Sequence, residues 1–352
     1  MSETPHPFQC TVSPDIPELL ASLGCSLVIS TYQAGKVILV SSNGNDLIQL
    51  PRNYDQPMGL AVEGDKLAVA TKETVVVLAN SRGLAGSYPG KPGVYDGMFV
   101  PHSIYFTGRI AAHDLAWAED GLLGINTSFS CLCKIDHNYS FTPIWKPSFI
   151  TELASEDRCH LNGLALVNKK PAYATSLGTT NTPQGWREDK LKGGALYNLP
   201  DGEIILNNLP MPHSPRIFHG KLYLLLSATG ELVCVDPKKG SYDVINRVDG
   251  FVRGLAYYKD HLFIGVSKLR NTHTFGDLPL TKKKLFCGVM VVHLPTGALV
   301  GKMEYQRTCE EIYDVQVLPN LIRPNILAPG SPEHRRALSI PETSYWGEVP
   351  NT

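Results

Sequence analysis

The chain is expected to be all-β, a six-bladed β-propeller, and three features of its sequence carry that expectation. First, a short apolar run recurs six times with one layout and a different opening residue. The copies are Met58-Gly-Leu-Ala-Val, His113-Asp-Leu-Ala-Trp, Asn162-Gly-Leu-Ala-Leu, His213-Ser-Pro-Arg-Ile, Arg253-Gly-Leu-Ala-Tyr and Tyr313-Asp-Val-Gln-Val. Their openers lie 55, 49, 51, 40 and 60 residues apart, the spacing of repeats that each hold several short strands. Second, a further run follows in phase in the first five copies, since Leu67, Leu122, Pro171, Leu222 and Leu262 each lie nine positions after their opener. Third, the two ends complement each other. Strand-like runs at 25–31, 36–41 and 46–50 have no inner strand before them, and the run from Tyr313 to Leu318 has no outer strands after it. Joined, they make a sixth blade that closes the ring and leaves no open sheet edge at the seam.

Taken in order, residues 1–14 are polar and read as a loose arm. Asp15 to Gly24 reads as one short helix, with Ile16, Leu19, Leu20 and Leu23 as its apolar stripe and Gly24 as its stop. This helix is expected to plug one mouth of the propeller. Blade two is expected over 113–118, 121–126, 131–136 and 141–149, and blade four over 213–218, 221–227, 231–236 and 242–248. Blades three and five carry insertions between their second and third strands, at 178–192 and 268–284. Both should stand over the mouth where the openers begin, as long loops on a rigid scaffold often carry function. The Gly- and Pro-rich stretch 81–100 has no assigned place. Beyond Pro319 come prolines 324, 329, 332, 341 and 350, which read as an extended tail. The domain organisation is therefore an arm and helix at 1–24, one propeller at 25–319 and a tail at 320–352.

Composition excludes some functions. With 32 basic and 33 acidic residues the net charge is −1, so no global field favours nucleic acid or an anionic membrane. No apolar run approaches the roughly 20 residues of a membrane span, and the N-terminus lacks the pattern of a signal peptide. A cytoplasmic, reduced protein is expected. Eight cysteines are too sparse for a disulfide framework. Cys131 and Cys133, on one face of a strand, read as small hydrophobes rather than a metal pair. Phosphate-binding loops, the zincin H-E-x-x-H motif and the G-x-S-x-G elbow are absent.

In a propeller the first strand of every blade points at a common channel, so Met58, His113, Asn162, His213, Arg253 and Tyr313 should surround one axis. Strand alternation gives the same orientation to positions two before each opener: Gln56, Ala111, His160, Met211, Phe251 and Glu311. His113, His160 and His213 thus gather with Glu311 at one mouth. Neutral imidazole suits zinc, iron, copper or nickel, and three imidazoles with an open position recur in catalytic metal sites. The expectation is one divalent transition metal on His113, His160 and His213, iron or copper favoured over zinc or manganese. Glu311 would be fourth ligand or general base, and Arg253, Asn162 and Tyr313 would orient a small polar or peptide substrate. Glu156, Asp157 and Glu310 are candidates to fix ring tautomers. For Trp186-Arg187 a lid competes with a solvated loop anchored by one Trp, the loop being somewhat favoured, while Arg216 would pack outward. The competing structural account is a water-bridged polar channel with Arg253 spent on Glu311.

The stretches Tyr32-Gln-Ala-Gly-Lys36, Ser128-Phe-Ser-Cys-Leu132, Glu156-Asp-Arg-Cys-His-Leu-Asn-Gly-Leu-Ala165, Gly185-Trp-Arg187, Met211-Pro-His-Ser-Pro-Arg216 and Arg253-Gly-Leu-Ala256 resemble a family of bacterial hypothetical proteins. That family is catalogued as domain of unknown function 4915, and the resemblance runs over about residues 25–320. It implies a propeller-like fold and supplies no activity. Its motifs hold His113, His160, Asn162 and His213 at their present places. Gly108-Arg-Ile-Ala-Ala112 departs from a more acidic run in the family, so no acidic ligand is expected there.

Three functions compete. The first is a metal-dependent enzyme, with oxidation slightly favoured over lyase or hydrolytic chemistry. The second is a non-catalytic propeller that grips a ligand or peptide, with a protein partner compatible. The third, a lactonase-type hydrolase, ranks last because calcium would call for oxygen ligands.

Overall fold

The computed structural model describes residues 8–269 and 278–348. Six sheets, each built on four antiparallel strands, stand around one axis. Blade one is Leu60–Glu63, Lys66–Ala70, Thr74–Asn80 and Gly97–Phe106. Blade two is Ala112–Ala118, Gly121–Asn126, Cys131–Ile135 and Thr142–Trp145, and blade three is Leu161–Val167, Lys170–Ser176, Gly194–Asn198 and Ile204–Leu209. Blade four is Pro212–Phe218, Lys221–Leu226, Glu231–Asp236 and Ser241–Arg247, and blade five is Phe251–Tyr258, His261–Ser267, Cys287–His293 and Ala298–Tyr305. The sixth blade takes its inner strand, Asp314–Pro319, from the C-terminal side and Cys25–Thr31, Lys36–Ser42 and Leu47–Asn53 from the N-terminal side.

The seam pairs Leu27 with Val317, Val28 with Gln316 and Ile29 with Val315. Every residue of Cys25–Thr31 is buried, because this strand packs against a neighbouring blade on each face. Runs of β-branched and aliphatic residues, rather than alternation, are what such a two-sided burial requires. One apolar layer joins Val28, Val37 and Leu39 of blade six to Leu60, Leu67, Val69 and Val76 of blade one. Another joins Ala165 and Leu196 of blade three to Leu222, Leu224 and Val233 of blade four.

Near the axis the blades are tied by hydrogen bonds. The residue after each opener alternates between glycine and a polar residue: Gly59, Asp114, Gly163, Ser214, Gly254, Asp314. Asp114 accepts from the backbone N–H of Leu164 at 2.9 Å, Ser214 from Gly254 at 2.9 Å, and Asp314 from Leu60 at 2.9 Å. Each polar residue so clasps the blade that follows. The glycines fit against the same contacts. A Cβ at Gly254 would lie 2.8 Å from Asp314 Cα, and one at Gly163 would lie 2.3 Å from Pro215 Cδ. A second ring of clasps comes from hydroxyls: Ser30 donates to the carbonyl of Met58, Thr127 to Leu161, Ser227 to Val252 and Ser267 to Ile312.

Several expectations need correction. Part of the arm is ordered, since Cys10–Val12 adds a fifth strand to blade five, paired with the strand Ala298–Tyr305. The helix Asp15–Leu23, ended by Gly24 at φ +65°, covers no mouth. Ile16, Leu20 and Leu23 share a core with Val40, Val289, Val291 and Met303, so the helix fills the space between blades five and six. The described residues after Pro319, up to residue 348, are not an extended tail. Pro324–Ile326 runs parallel to the outer strand of blade one, and Ala337–Ile340 pairs with Thr343–Trp346 in a hairpin. That hairpin packs on the stretch 81–100, where a short helix, Arg82–Gly86, carries Leu84; the Trp346 indole N–H donates to the Leu84 carbonyl at 3.2 Å. All eight cysteines are free thiols. Burial pushes the Cys131 thiol up to about 12, which suits the hydrophobe account of that pair. Among the described residues no helix is long and apolar enough to cross a membrane.

Candidate functional site at the propeller mouth

A cavity of about 310 Å³ opens at the mouth where the inner strands begin. His113, His160, His213, Arg253, Glu311 and Tyr313 line it, together with Ala111, Met211, Phe251 and Met58. Asn162 does not. Its Nδ2 donates to the Pro212 carbonyl of blade four at 3.0 Å, and its Oδ1 accepts from Thr175 of its own blade at 2.7 Å, so both ends of the amide are engaged.

Local backbone geometry aims the imidazoles. Ala111 (φ +49°), His160 (φ +51°) and Met211 (φ +56°) hold left-handed conformations just before the strands begin, a region costly for residues other than glycine and concentrated at functional sites. The turn at Ala111 brings its carbonyl to His113 Nδ1 at 3.0 Å, and the turn at Met211 does the same for His213 at 3.1 Å. Ser227 Oγ, 2.8 Å from His213 Nδ1, spends its own proton on the Val252 carbonyl. His160 Nδ1 lies 3.0 Å from both oxygens of Asp157, which also accepts from the Trp186 indole N–H at 2.9 Å. In all three rings Nδ1 is therefore the donor, which in a neutral ring leaves the Nε2 lone pair free.

His113 and His160 meet edge to face with ring centres 4.6 Å apart; His213 lies against Phe251 at 5.8 Å. Among the described residues no three His, Cys, Asp or Glu side chains form a group that could hold a metal ion as they stand. His113 is held well below the usual imidazole range by burial, then by His160 and Arg253; burial and Arg253 do the same to His213. Both are neutral at pH 7.

Arg253 lies flat over the Tyr313 ring at 3.4 Å, donates to the Tyr313 carbonyl at 3.3 Å and faces Glu311 at 3.5 Å. The ion pair of the competing structural account is thus present. Of the candidates to fix tautomers, Asp157 touches a ring, Glu156 pairs with Arg158 at 2.7 Å, and Glu310 lies 4.0 Å from Lys268. Trp186 covers the mouth and is buried with Leu177, Met211, Phe251, Leu278 and Leu280, so the two insertions meet in one apolar cap. Residues 270–277 of the second insertion lie outside the described part.

Two features escaped sequence reasoning. Tyr32 lines the cavity 6.0 Å from Tyr313; it occupies the loop between strands two and three of blade six, equivalent to the insertions. Arg216 does not pack outward. A β-bulge between His213 and Arg216, with Ser214 at φ +51°, breaks the alternation. The bulge turns the guanidinium inward onto Asp114, at 2.7 and 3.0 Å. This pair, with Asp314 beside it, forms the floor beneath the imidazoles.

Fold and site together define a six-bladed β-propeller with an imidazole-lined mouth closed by two loop insertions. The chain belongs to the family described as domain of unknown function (DUF4915), whose sequence profile matches residues 14–327. No curated protein matches it. Among solved structures, a chain of the crystal structure of a nidogen/laminin complex is similar in fold. It has a TM-score of 0.52 at 11% identity, over 84% of this chain and 99% of that one.

Proposed function

We propose that the mouth is a metal-dependent catalytic site, in which His113, His160 and His213 bind one divalent transition metal through Nε2. The observation that carries this reading is the shared tautomer: each Nδ1 proton is committed to a protein acceptor. Ligating histidines show this pattern because the second bond fixes the ring and raises its basicity. His213 completes the set from blade four.

Bound there, iron or copper would supply dioxygen chemistry, and zinc or manganese Lewis acidity. Arg253 and Tyr313 form one wall that orients a substrate. Glu311, held beside Arg253, takes or returns a proton, and the cap of Trp186, Leu278 and Leu280 keeps out water. A second reading, a metal-free binding pocket, draws on the Arg253–Glu311 pair.

Metal analysis of protein purified without chelating resin separates the two. About one equivalent of iron, copper, zinc or manganese is expected, lost in His113→Ala/His160→Ala and bound 10–100-fold more weakly in Asp157→Asn. Protein that takes up no metal when titrated with these ions, in wild type and variants alike, leaves the binding pocket as the function.

A further inference from the structure

Among the described residues, the ionic groups lining the mouth are three cations, Arg187, Arg253 and Lys268, against two carboxylates, Asp157 and Glu311. Most are engaged. Asp157 serves His160 and Trp186, Glu311 faces Arg253, and Lys268 lies 4.0 Å from Glu310. Arg187 differs. Among the described residues its guanidinium faces no carboxylate; it lies over the Trp186 indole, 5.2 Å from the ring centre, on the exposed side of the cap.

A guanidinium stacked on an aromatic face keeps its in-plane N–H fork for a planar anion. The stack is anchored, because the same indole donates to Asp157 and lies 4.4 Å from His160. The wall beside it is apolar, formed by Leu177, Trp186, Met211, Phe251 and Leu269. At about 310 Å³ the space suits a small organic molecule. One free cation beside an apolar wall matches a monoanion with a hydrophobic body. A phosphate dianion would call for more donors than the described residues of this rim offer.

We infer that the mouth cavity takes a small organic carboxylate with an apolar or aromatic body, its carboxylate received by Arg187. The body then lies on Trp186, Met211 and Phe251, and the opposite end of the molecule reaches His113, His160 and Arg253. This rests on the mouth being the functional site, and it makes Arg187 a specificity-determining residue.

The test is calorimetric binding of hippurate, its neutral amide hippuramide, and phenyl phosphate. Full-length wild type, Arg187→Ala and Arg187→Lys are compared, metal-loaded and chelator-treated. Hippurate should bind wild type about tenfold more tightly than hippuramide, and Arg187→Ala should erase that preference while leaving hippuramide affinity unchanged. Arg187→Lys should restore part of it, because it returns the charge without the fork. Because Arg187 is exposed, the variants should melt with wild type, which checks that folding is intact. Equal affinity for acid and amide, a preference indifferent to Arg187, no hippurate binding, or tighter phenyl phosphate binding through Arg187 would each overturn the inference. A preference that persists in metal-free protein unable to reload counts against the metal reading alone. Stoichiometric metal on the imidazoles with no Arg187 effect counts against this inference alone.

Discussion

The floor of the channel offers the sharpest test of how the ring is held. Arg216 donates to both oxygens of Asp114, at 2.7 and 3.0 Å, and the side chains of this pair are only 16% and 4% exposed. Asp114 also accepts the backbone N–H of Leu164, so blades two, three and four meet at one carboxylate. Arg216→Met keeps most of the side-chain volume and leaves Asp114 without its counter-ion, close to a second buried carboxylate, Asp314. Removing one partner of a buried pair costs about 3–5 kcal/mol. At about 2.1 cal/mol/K per residue, an unfolding entropy near 0.7 kcal/mol/K for a chain of this length converts 4 kcal/mol into a Tm drop of about 5 °C. Asp114→Asn/Arg216→Met removes both charges while Asn can still accept from Leu164, so it should regain at least half of that loss. Thermal melts of wild type, both single variants and the double variant complete the cycle. A single variant within 1 °C of wild type, or a double variant as unstable as Arg216→Met, would show that the pair does not hold the floor.

Two further outcomes follow from the axis. Gly163→Ala would place a Cβ 2.3 Å from Pro215 Cδ and 2.5 Å from Thr175 Oγ1, so it should cost about 1–3 kcal/mol by overpacking; Gly86→Ala, with nothing within 4 Å, is the control, and equal melting of the two refutes the close approach. Burial pushes the Asp314 carboxyl up to about 6, against the pull of Arg216. The folded value thus exceeds the unfolded one of about 3.9, and the native state binds the extra proton between them. This contribution, about 2–3 kcal/mol, is fully present below about pH 4 and is lost as pH rises through about 6. Asp314→Asn should therefore lose less stability than wild type on going from pH 4.5 to 7 in denaturant titrations, and an identical pH slope in both would remove Asp314 as its source.

The first three strands of blades two and four were legible to within a residue because their hairpins are short and their strands rich in apolar residues, whereas the outer strand of blade two, expected over 141–149, spans only Thr142–Trp145. The seam was legible because two incomplete halves have one way to combine. The lining was found for a partly wrong reason: Ala111, His160 and Met211 face the cavity through left-handed turns, not through strand alternation. Where the bulge after His213 shifts the register, the same rule failed and sent Arg216 to the wrong side. Asn162 shares the openers' position, yet its amide is consumed by Pro212 across the blade boundary and by Thr175 in its own blade. A side chain's partners across a blade boundary leave no trace in local spacing.

The sequence by itself determined the toroid, its blade count, its closure and the mouth at which three imidazoles gather. Repetition and apolar patterning encode these, because each sheet must bury both faces against a neighbour. Only the tertiary structure decided which acceptor holds each imidazole Nδ1, that Arg216 floors the channel, and that Arg187, among the described residues, faces no carboxylate on the cap. Those properties depend on carbonyls, carboxylates and aromatic faces supplied by residues distant in the chain, which folding alone brings within hydrogen-bonding or stacking reach.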